Sequence, residues 1–377
     1  MFLAGFFLLW AIGSLLVGGG GFGGGSAQAA MGGADGSSMT PLANLREFRD
    51  LSYVPVKGVY ISAFGAGKLQ KLLHLADTTE INAFVCDVKD DSGYVTYDAD
   101  VQFAKDNNLI NSRISSVDNF IGTLREHNIT PIARIVCFAD NNLAKKRPDL
   151  AIQKKDGTGE WKDSKGHCYL NPYKEEVWDY LVQLAEDAAR HGFREIQFDY
   201  VRFPSDGDIA NAAYPGENST KDEAIKGFLA YAHSKLEPLG VWVSADVFGL
   251  TTRETGDMGI GQNLEKIADN VDIVCPMVYP SHYSANSYGL DDPNRYPYEL
   301  VTGAMADAKK RLAGTGCKGR PWLQDFSWNG FTYGVAEVKA QIKAAGAQGF
   351  DEWILWNPNL NYTEGALRSK DSTTSSS

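Results

Sequence analysis

The chain has 377 residues, with 36 Lys and Arg against 47 Asp and Glu, a formal net charge of −11 and 44% apolar content. That balance excludes wholesale disorder and a multi-span membrane protein. An acidic chain with no basic run also grips nucleic-acid phosphates or anionic lipid poorly, so no nucleic-acid partner is expected.

Residues Met1 to Ala34 carry no charged side chain, and Phe2 to Val17 is apolar. Ten glycines follow between Gly18 and Gly36, and Ala27-Gln28-Ala29 offers the small-x-small pattern that a signal peptidase accepts. Residues 1–29 therefore read as a signal peptide. The alternative is an uncleaved anchor and membrane association through this segment, although its apolar run is shorter than the roughly 20 residues a span needs. The expected location is secreted or cell-envelope-associated. Residues 30–51 read as a flexible spacer, 52–362 as the folded domain and 363–377 as a polar tail.

From Val56 the pattern alternates between short β-branched or aromatic runs and longer stretches of helical periodicity. The expected strands are Lys57–Ser62, Ala83–Lys89, Pro131–Phe138, Glu195–Phe203, Val241–Phe248, Asp272–Tyr279, Pro321–Trp328 and Trp353–Asn357. Helical patterns fill the gaps. Over Glu175–Arg190, Val177, Trp178, Leu181, Leu184, Ala185 and Ala188 share one face, and Gly192 ends the helix. Tyr298–Leu312 and Val335–Ala345 behave alike, closed by Gly314 and Gly346. Strand–helix units repeating in this way over a chain of this length predict an α/β protein, a single (β/α)8 TIM barrel of about 250 residues or more. A doubly wound open sheet is the runner-up, but Gly65-Ala66-Gly67-Lys68 fails the phosphate-loop spacing.

The histidines and cysteines are few and scattered, so no metal site and no cofactor is expected. Cys86, Cys137 and Cys275 fall inside apolar strands and read as small buried hydrophobes, whereas Cys168 and Cys317 fall in loop-like contexts. Neither a disulfide scaffold nor a Cys nucleophile is expected.

In such barrels the chemistry sits at the carboxyl ends of the strands. This sequence places Asp87 there on strand two, Arg134 on three, Asp199 and Arg202 on four, and Asp246 on five. Strand six ends in Tyr279 and His282, strand seven carries Gln324, Asp325 and Trp328, and strand eight ends in Trp356 and Asn357. An Asp inside an apolar strand is costly unless partnered. Two carboxylates in one cleft split their protonation states, one serving as acid and the other as nucleophile or base, which is what glycosidic cleavage requires. Aromatic faces supply platforms for sugar rings.

Each residue also has a structural reading. Asp87 could cap a loop or hold Lys89, and Asp199 could pair with Arg202 or Arg134. Asp325 points in or out according to strand parity. Trp328 and Trp356 could belong to the core, and His282 to a turn.

The run from Gly192 to Pro204 (Gly-Phe-Arg-Glu-Ile-Gln-Phe-Asp-Tyr-Val-Arg-Phe-Pro), with Ser244–Gly249, Met277–Tyr283, Trp322–Phe326 and Asn171-Pro172-Tyr173, resembles a glycoside hydrolase family of bacterial exported TIM-barrel proteins, formerly a domain of unknown function. The resemblance covers about Val56 to Asn359. Strand four is distantly similar to the Asp-x-Asp-x-Glu strand of chitinase-type barrels, with Asp199 at the last Asp and Val201 where their Glu stands. The layout of alpha-amylase-type barrels implies Asp199 as nucleophile, Asp246 as general acid/base and Asp325 as auxiliary. Asp87, Arg134, Arg202, Tyr279, His282, Gln324, Trp328, Trp356 and Asn357 are then expected to bind substrate.

The expectation is an exported glycoside hydrolase that cleaves O-glycosidic bonds in a polysaccharide or oligosaccharide. The alternative is a catalytically inactive carbohydrate-binding barrel of the cell surface, which the missing chitinase-type Glu favours. A metal-dependent hydrolase of another class is disfavoured by the scarcity of His.

Overall fold

The computed structural model describes residues 53–63 and 66–370. The segments read as signal peptide and spacer lie outside that range, as do Gly65 and residues 371–377. Eight parallel strands close into a barrel: β1 (Lys57–Ile61), β2 (Ala83–Lys89), β3 (Thr130–Val136), β4 (Glu195–Asp199), β5 (Trp242–Phe248), β6 (Ile273–Met277), β7 (Trp322–Gln324) and β8 (Trp353–Trp356). Each pairs with the next in chain order, Trp322 meets Met277 across β6 and β7, and β8 returns to β1. The TIM-barrel expectation is borne out.

Alternation along the strands sorts the core into two layers. Tyr60, Val85, Ile132, Cys275, Trp322 and Ile354 fill the barrel, while Val59, Phe84, Ile135, Phe198, Val247 and Leu355 face the surrounding helices. Strands buried on both faces carry near-continuous apolar runs, and any polar residue among them needs a partner.

The longer helices are α1 (Ala66–Thr78), α2 (Val117–Glu126), α3 (Glu175–Arg190), α4 (Lys221–Leu236), α5 (Pro297–Leu312) and α6 (Val335–Ala347). α3 occupies the expected residues and buries Val177, Leu181, Leu184, Ala185 and Ala188. It stops at Gly192, whose φ of +99° a side chain would strain. α6 differs from expectation. It runs through Gly346, and Gly349 (φ +89°) makes the turn instead.

Two strands stop four residues short of their expected ends. β4 ends at Asp199 because Tyr200 adopts a left-handed conformation (φ +50°), which turns the chain out of the sheet. β7 ends at Gln324. The residues read as a polar tail begin as a packed segment: Ala366 and Leu367 are buried, and Arg368 Nε donates to Glu80 Oε2 (2.7 Å). All five cysteines are free thiols, and Cys168 is buried despite its loop position. No helix among the described residues is long and apolar enough to cross a membrane.

The loop after β3 and the loop after β4 are stitched by a two-stranded antiparallel sheet, Gln153–Lys154 against Ala212–Ala213. Trp161 reinforces this seam by donating from Nε1 to the Asp208 carbonyl (2.7 Å). The seam raises one wall above the carboxyl ends of the strands.

Candidate active site

Register brings the first charged group into place. Asp87 on β2 lies opposite Arg134 on β3, and Arg134 opposite Gln197 on β4, so Asp199 follows on the same face two residues later. Arg134 is 1% exposed and serves three carboxylates. Its Nη1 donates to Asp87 Oδ1 (2.6 Å), Nε to Asp199 Oδ2 (2.9 Å) and Nη2 to Asp91 Oδ1 (2.9 Å). Burial opposes the Arg134 charge, but the carboxylates of Asp91, Asp199 and Asp87 outweigh it and raise its pKa well above the usual value. Such planar, charge-assisted bonds fix geometry as well as charge.

The carboxylates differ in what else they meet. Asp199 Oδ1 accepts the N–H of Tyr200 (2.6 Å), a bond that the left-handed turn supplies. Asp87 Oδ2 accepts the Tyr60 hydroxyl (2.5 Å). Burial lifts the Asp87 pKa to about 6, opposed by Arg134 and assisted by the Asp91 charge. Lys89 does not contact Asp87; it pairs with Asp140 (2.8 Å).

Asp246, 1% exposed on β5, lies beneath this group. Its Oδ1 accepts from Gln197 Nε2 (2.6 Å) and Trp322 Nε1 (2.7 Å). Burial and then the Asp199 charge push its pKa well above the ordinary carboxyl value. Gln197 Oε1 has no hydrogen-bond partner, so turning that amide over would let it accept from a protonated Asp246.

A cleft of about 210 Å³ opens above the strand ends. Asp91, Asp199, Tyr200, Arg202, Phe248 and Tyr279 line it, together with His282, Tyr283 and the β3-loop residues Asp163, Lys165 and Tyr169. Gly249 lets the chain leave β5 close against β6: a Cβ there would lie 2.5 Å from the Met277 carbonyl oxygen. His282 is desolvated, its pKa lowered to about 4, and its Nδ1 lies 3.0 Å from Ser281 Oγ. It therefore faces the cleft as a neutral imidazole over the ordinary pH range.

Of the residues singled out from the sequence, Asp199, Arg202, Tyr279 and His282 line the cleft. Asp87, Arg134 and Asp246 are gathered beneath it. The others lie elsewhere. Asp325 points away from the barrel interior, and Thr363 donates to both its oxygens from N (2.8 Å) and Oγ1 (2.6 Å). Parity decides this, since Gln324 and Trp322 take the inward positions. Gln324 is fully buried and accepts the Ser281 N–H (3.1 Å), which pins the loop after β6. Asn357 donates to the carbonyls of Asp325 and Asn361, and Trp356 packs on Tyr60 (ring centres 4.3 Å) inside the barrel. Trp328 bridges to Phe331 in its own turn.

Sequence reasoning did not single out Asp91, Tyr200, Phe248, Gln197 or Trp322. Asp91 was marked only by its place in the acidic run after β2. Gln197 and Trp322 share strand parity with Asp199 and Gln324, a signal usable once the barrel register is known.

A closed (β/α)8 barrel with carboxylates and aromatic rings around its carboxyl-end cleft defines a glycosidase-type barrel. The chain belongs to the family described as "Putative glycosyl hydrolase domain", whose model matches residues 58–362, and it is a glycosidase of unknown specificity. A hypothetical protein from Ruminiclostridium thermocellum ATCC 27405 is 38% identical, matching 50% of this chain and 97% of its own, with a TM-score of 0.47. The PgaB (BpsB) glycoside hydrolase domain from Bordetella bronchiseptica matches 84% of this chain and 99% of its own at 12% identity and a TM-score of 0.60. The Bacillus megaterium QM B1551 spore cortex-lytic enzyme SleL matches 83% and 72% at 11% identity and a TM-score of 0.52. The last two share the fold. No curated protein matches the chain.

Proposed function

We propose that this protein is an exported hydrolase of O-glycosidic bonds in a polysaccharide, with Asp199 and Asp246 as the working carboxyl pair. The observation that carries this reading is the Arg134 clamp. It holds Asp199 on the cleft floor, where its charge in turn helps keep the neighbouring Asp246 protonated. Asp199 then meets the positive charge that develops on the sugar ring as the bond breaks, and Asp246 is the proton source. Tyr200, Tyr279 and Phe248 give the sugar apolar faces. Export rests on the uncharged apolar segment and on Ala27-Gln28-Ala29, and sequencing the amino terminus of the mature protein tests it.

The test of catalysis is release of new reducing ends from a panel of polysaccharides. The wild-type chain is expected to release them and Asp199→Asn to fail while keeping its far-ultraviolet circular dichroism. Normal turnover by the variant on a verified substrate would overturn the assignment. One observation favours a second reading, a barrel that binds carbohydrate without cleaving it: Asp246 is 1% exposed and does not line the cleft. Binding by the wild type with no new reducing ends, and tolerance of Asp246→Asn, would establish that reading.

A further inference from the structure

Arg134 and Arg320, the other buried arginines among the described residues, each pair with carboxylates. Arg202 does not. It is 6% exposed, and among the described residues no carboxylate stands within ion-pairing distance of it. Its guanidinium carbon lies 5.0 Å from the ring centre of Tyr200 and 4.7 Å from that of Phe248. Nη1 donates to the Phe203 carbonyl (3.0 Å) and to Ser205 Oγ (3.1 Å), and the Tyr169 hydroxyl is a third neutral neighbour. Five N–H donors therefore meet three neutral acceptors. A buried charge without a counter-charge is costly, and cation–π contact offsets only part of that cost.

The carboxylates that share the cleft are engaged elsewhere. Asp91 and Asp199 serve Arg134. Asp163 Oδ1 accepts the N–H groups of Lys165 and His167, and its Oδ2 lies 3.4 Å from His167 Nδ1. Asp206 accepts from Ser164 N and Oγ. Arg202 is thus a fixed cation that lines the cleft wall, its plane set by two rings and its counter-ion not supplied by the fold.

We propose that Arg202 receives the carboxylate of an acidic sugar, so that the cleft takes a carboxylate-bearing polysaccharide. This deepens the glycosidase reading and rests on it. A planar guanidinium matches a carboxylate through two parallel hydrogen bonds, a fit that a sugar hydroxyl does not reproduce.

The test uses the full chain and two probe families: oligosaccharides containing a uronic acid, and oligosaccharides containing a lactyl-ether carboxylate. Each is compared with the same compound after its carboxyl is reduced to an alcohol. Titration calorimetry is expected to show the wild type preferring one acidic probe over its reduced form by ~10- to 100-fold. The family that shows the preference identifies the source of the carboxylate. Arg202→Gln is expected to lose that preference, and Arg202→Lys, which keeps the charge without the fork, to retain part of it. Equal affinity of the wild type for acidic and reduced forms in both families would overturn the proposal. So would a preference that survives in a folded Arg202→Gln. Hydrolysis confined to neutral glycans would sink this inference while leaving the glycosidase reading intact, and acid-selective binding without cleavage would do the reverse.

Discussion

The two ends of the barrel each bury an arginine among carboxylates, and they treat it differently. At the amino end, Arg320 Nη1 donates to both oxygens of Glu195 (2.8 and 2.9 Å) and Nε to Glu352 Oε2 (3.1 Å). Tyr53 and Ser244 donate to the same two glutamates, at 2.5 Å each. Among the described residues the network closes on itself, and none of its members lines the cleft above the strand ends. At the carboxyl end, Arg134 gathers Asp87, Asp91 and Asp199, but the last two line an open cleft, and the Asp91 side chain is 48% exposed. The same residue chemistry thus makes a plug at one end and a presenting platform at the other. The difference lies in whether every carboxylate faces protein alone, which is the distinction between stability and function that this architecture draws between its two faces.

The sharpest way to break that contrast is at Asp199. Asp199→Asn is expected to lower kcat by on the order of 10³-fold or more, with little change in the denaturation midpoint. A comparable loss of stability with retained turnover would make Asp199 another plug residue. Next come the two arginines. Arg134→Met and Arg320→Met each strand buried carboxylates and are expected to cost about 3–5 kcal/mol in urea unfolding. Only Arg134→Met should also depress kcat/KM of the folded fraction, and equal kinetic effects would erase the distinction between the ends.

Trp322→Phe removes one donor from Asp246 and should cost about 1–3 kcal/mol. That bond favours the charged form, so its loss raises the Asp246 pKa further and moves the basic limb of kcat/KM to higher pH. An unmoved limb would exclude Asp246 as the acid. The smallest effect is expected at Asp87. Its pKa in the folded protein, about 6, lies above the ordinary 3.8, so the folded state takes up this proton first. The stability it contributes is complete below about 3.8 and is lost as pH rises through about 6. Asp87→Asn should flatten that stretch of the melting-temperature profile and remove any inflection near 6 in kcat.

Much of this was legible in the chain itself. The barrel could be read because strands buried on both faces leave apolar runs, and because α3 shows its apolar stripe and its terminating glycine. Asp199 stood out as a carboxylate in an apolar run. The partners of these residues could not be read. Whether Asp199 meets Arg134 or Arg202 depends on which strands adjoin and in what register, and local sequence encodes neither. Asp325 shows the parity limit: a one-residue change of face turns a candidate helper into an outward group. Tyr200 shows another, since nothing in the run Phe198–Phe203 marks the left-handed turn that ends β4 early. Gln197 and Trp322 are ordinary core residues by composition and become donors to Asp246 only when the cylinder closes.

The clasp between Asp325 and Thr363 has a practical corollary. It joins the seventh stave to the stretch beyond the eighth, so a protein shortened to the limit at 362 would keep every strand yet strip a buried carboxylate of both its donors. Such a truncation should melt earlier than one that stops at 370, and the gap should narrow in Asp325→Ala, which has no carboxylate left to strand, leaving only the loss of the buried Ala366 and Leu367 and of the Arg368–Glu80 pair.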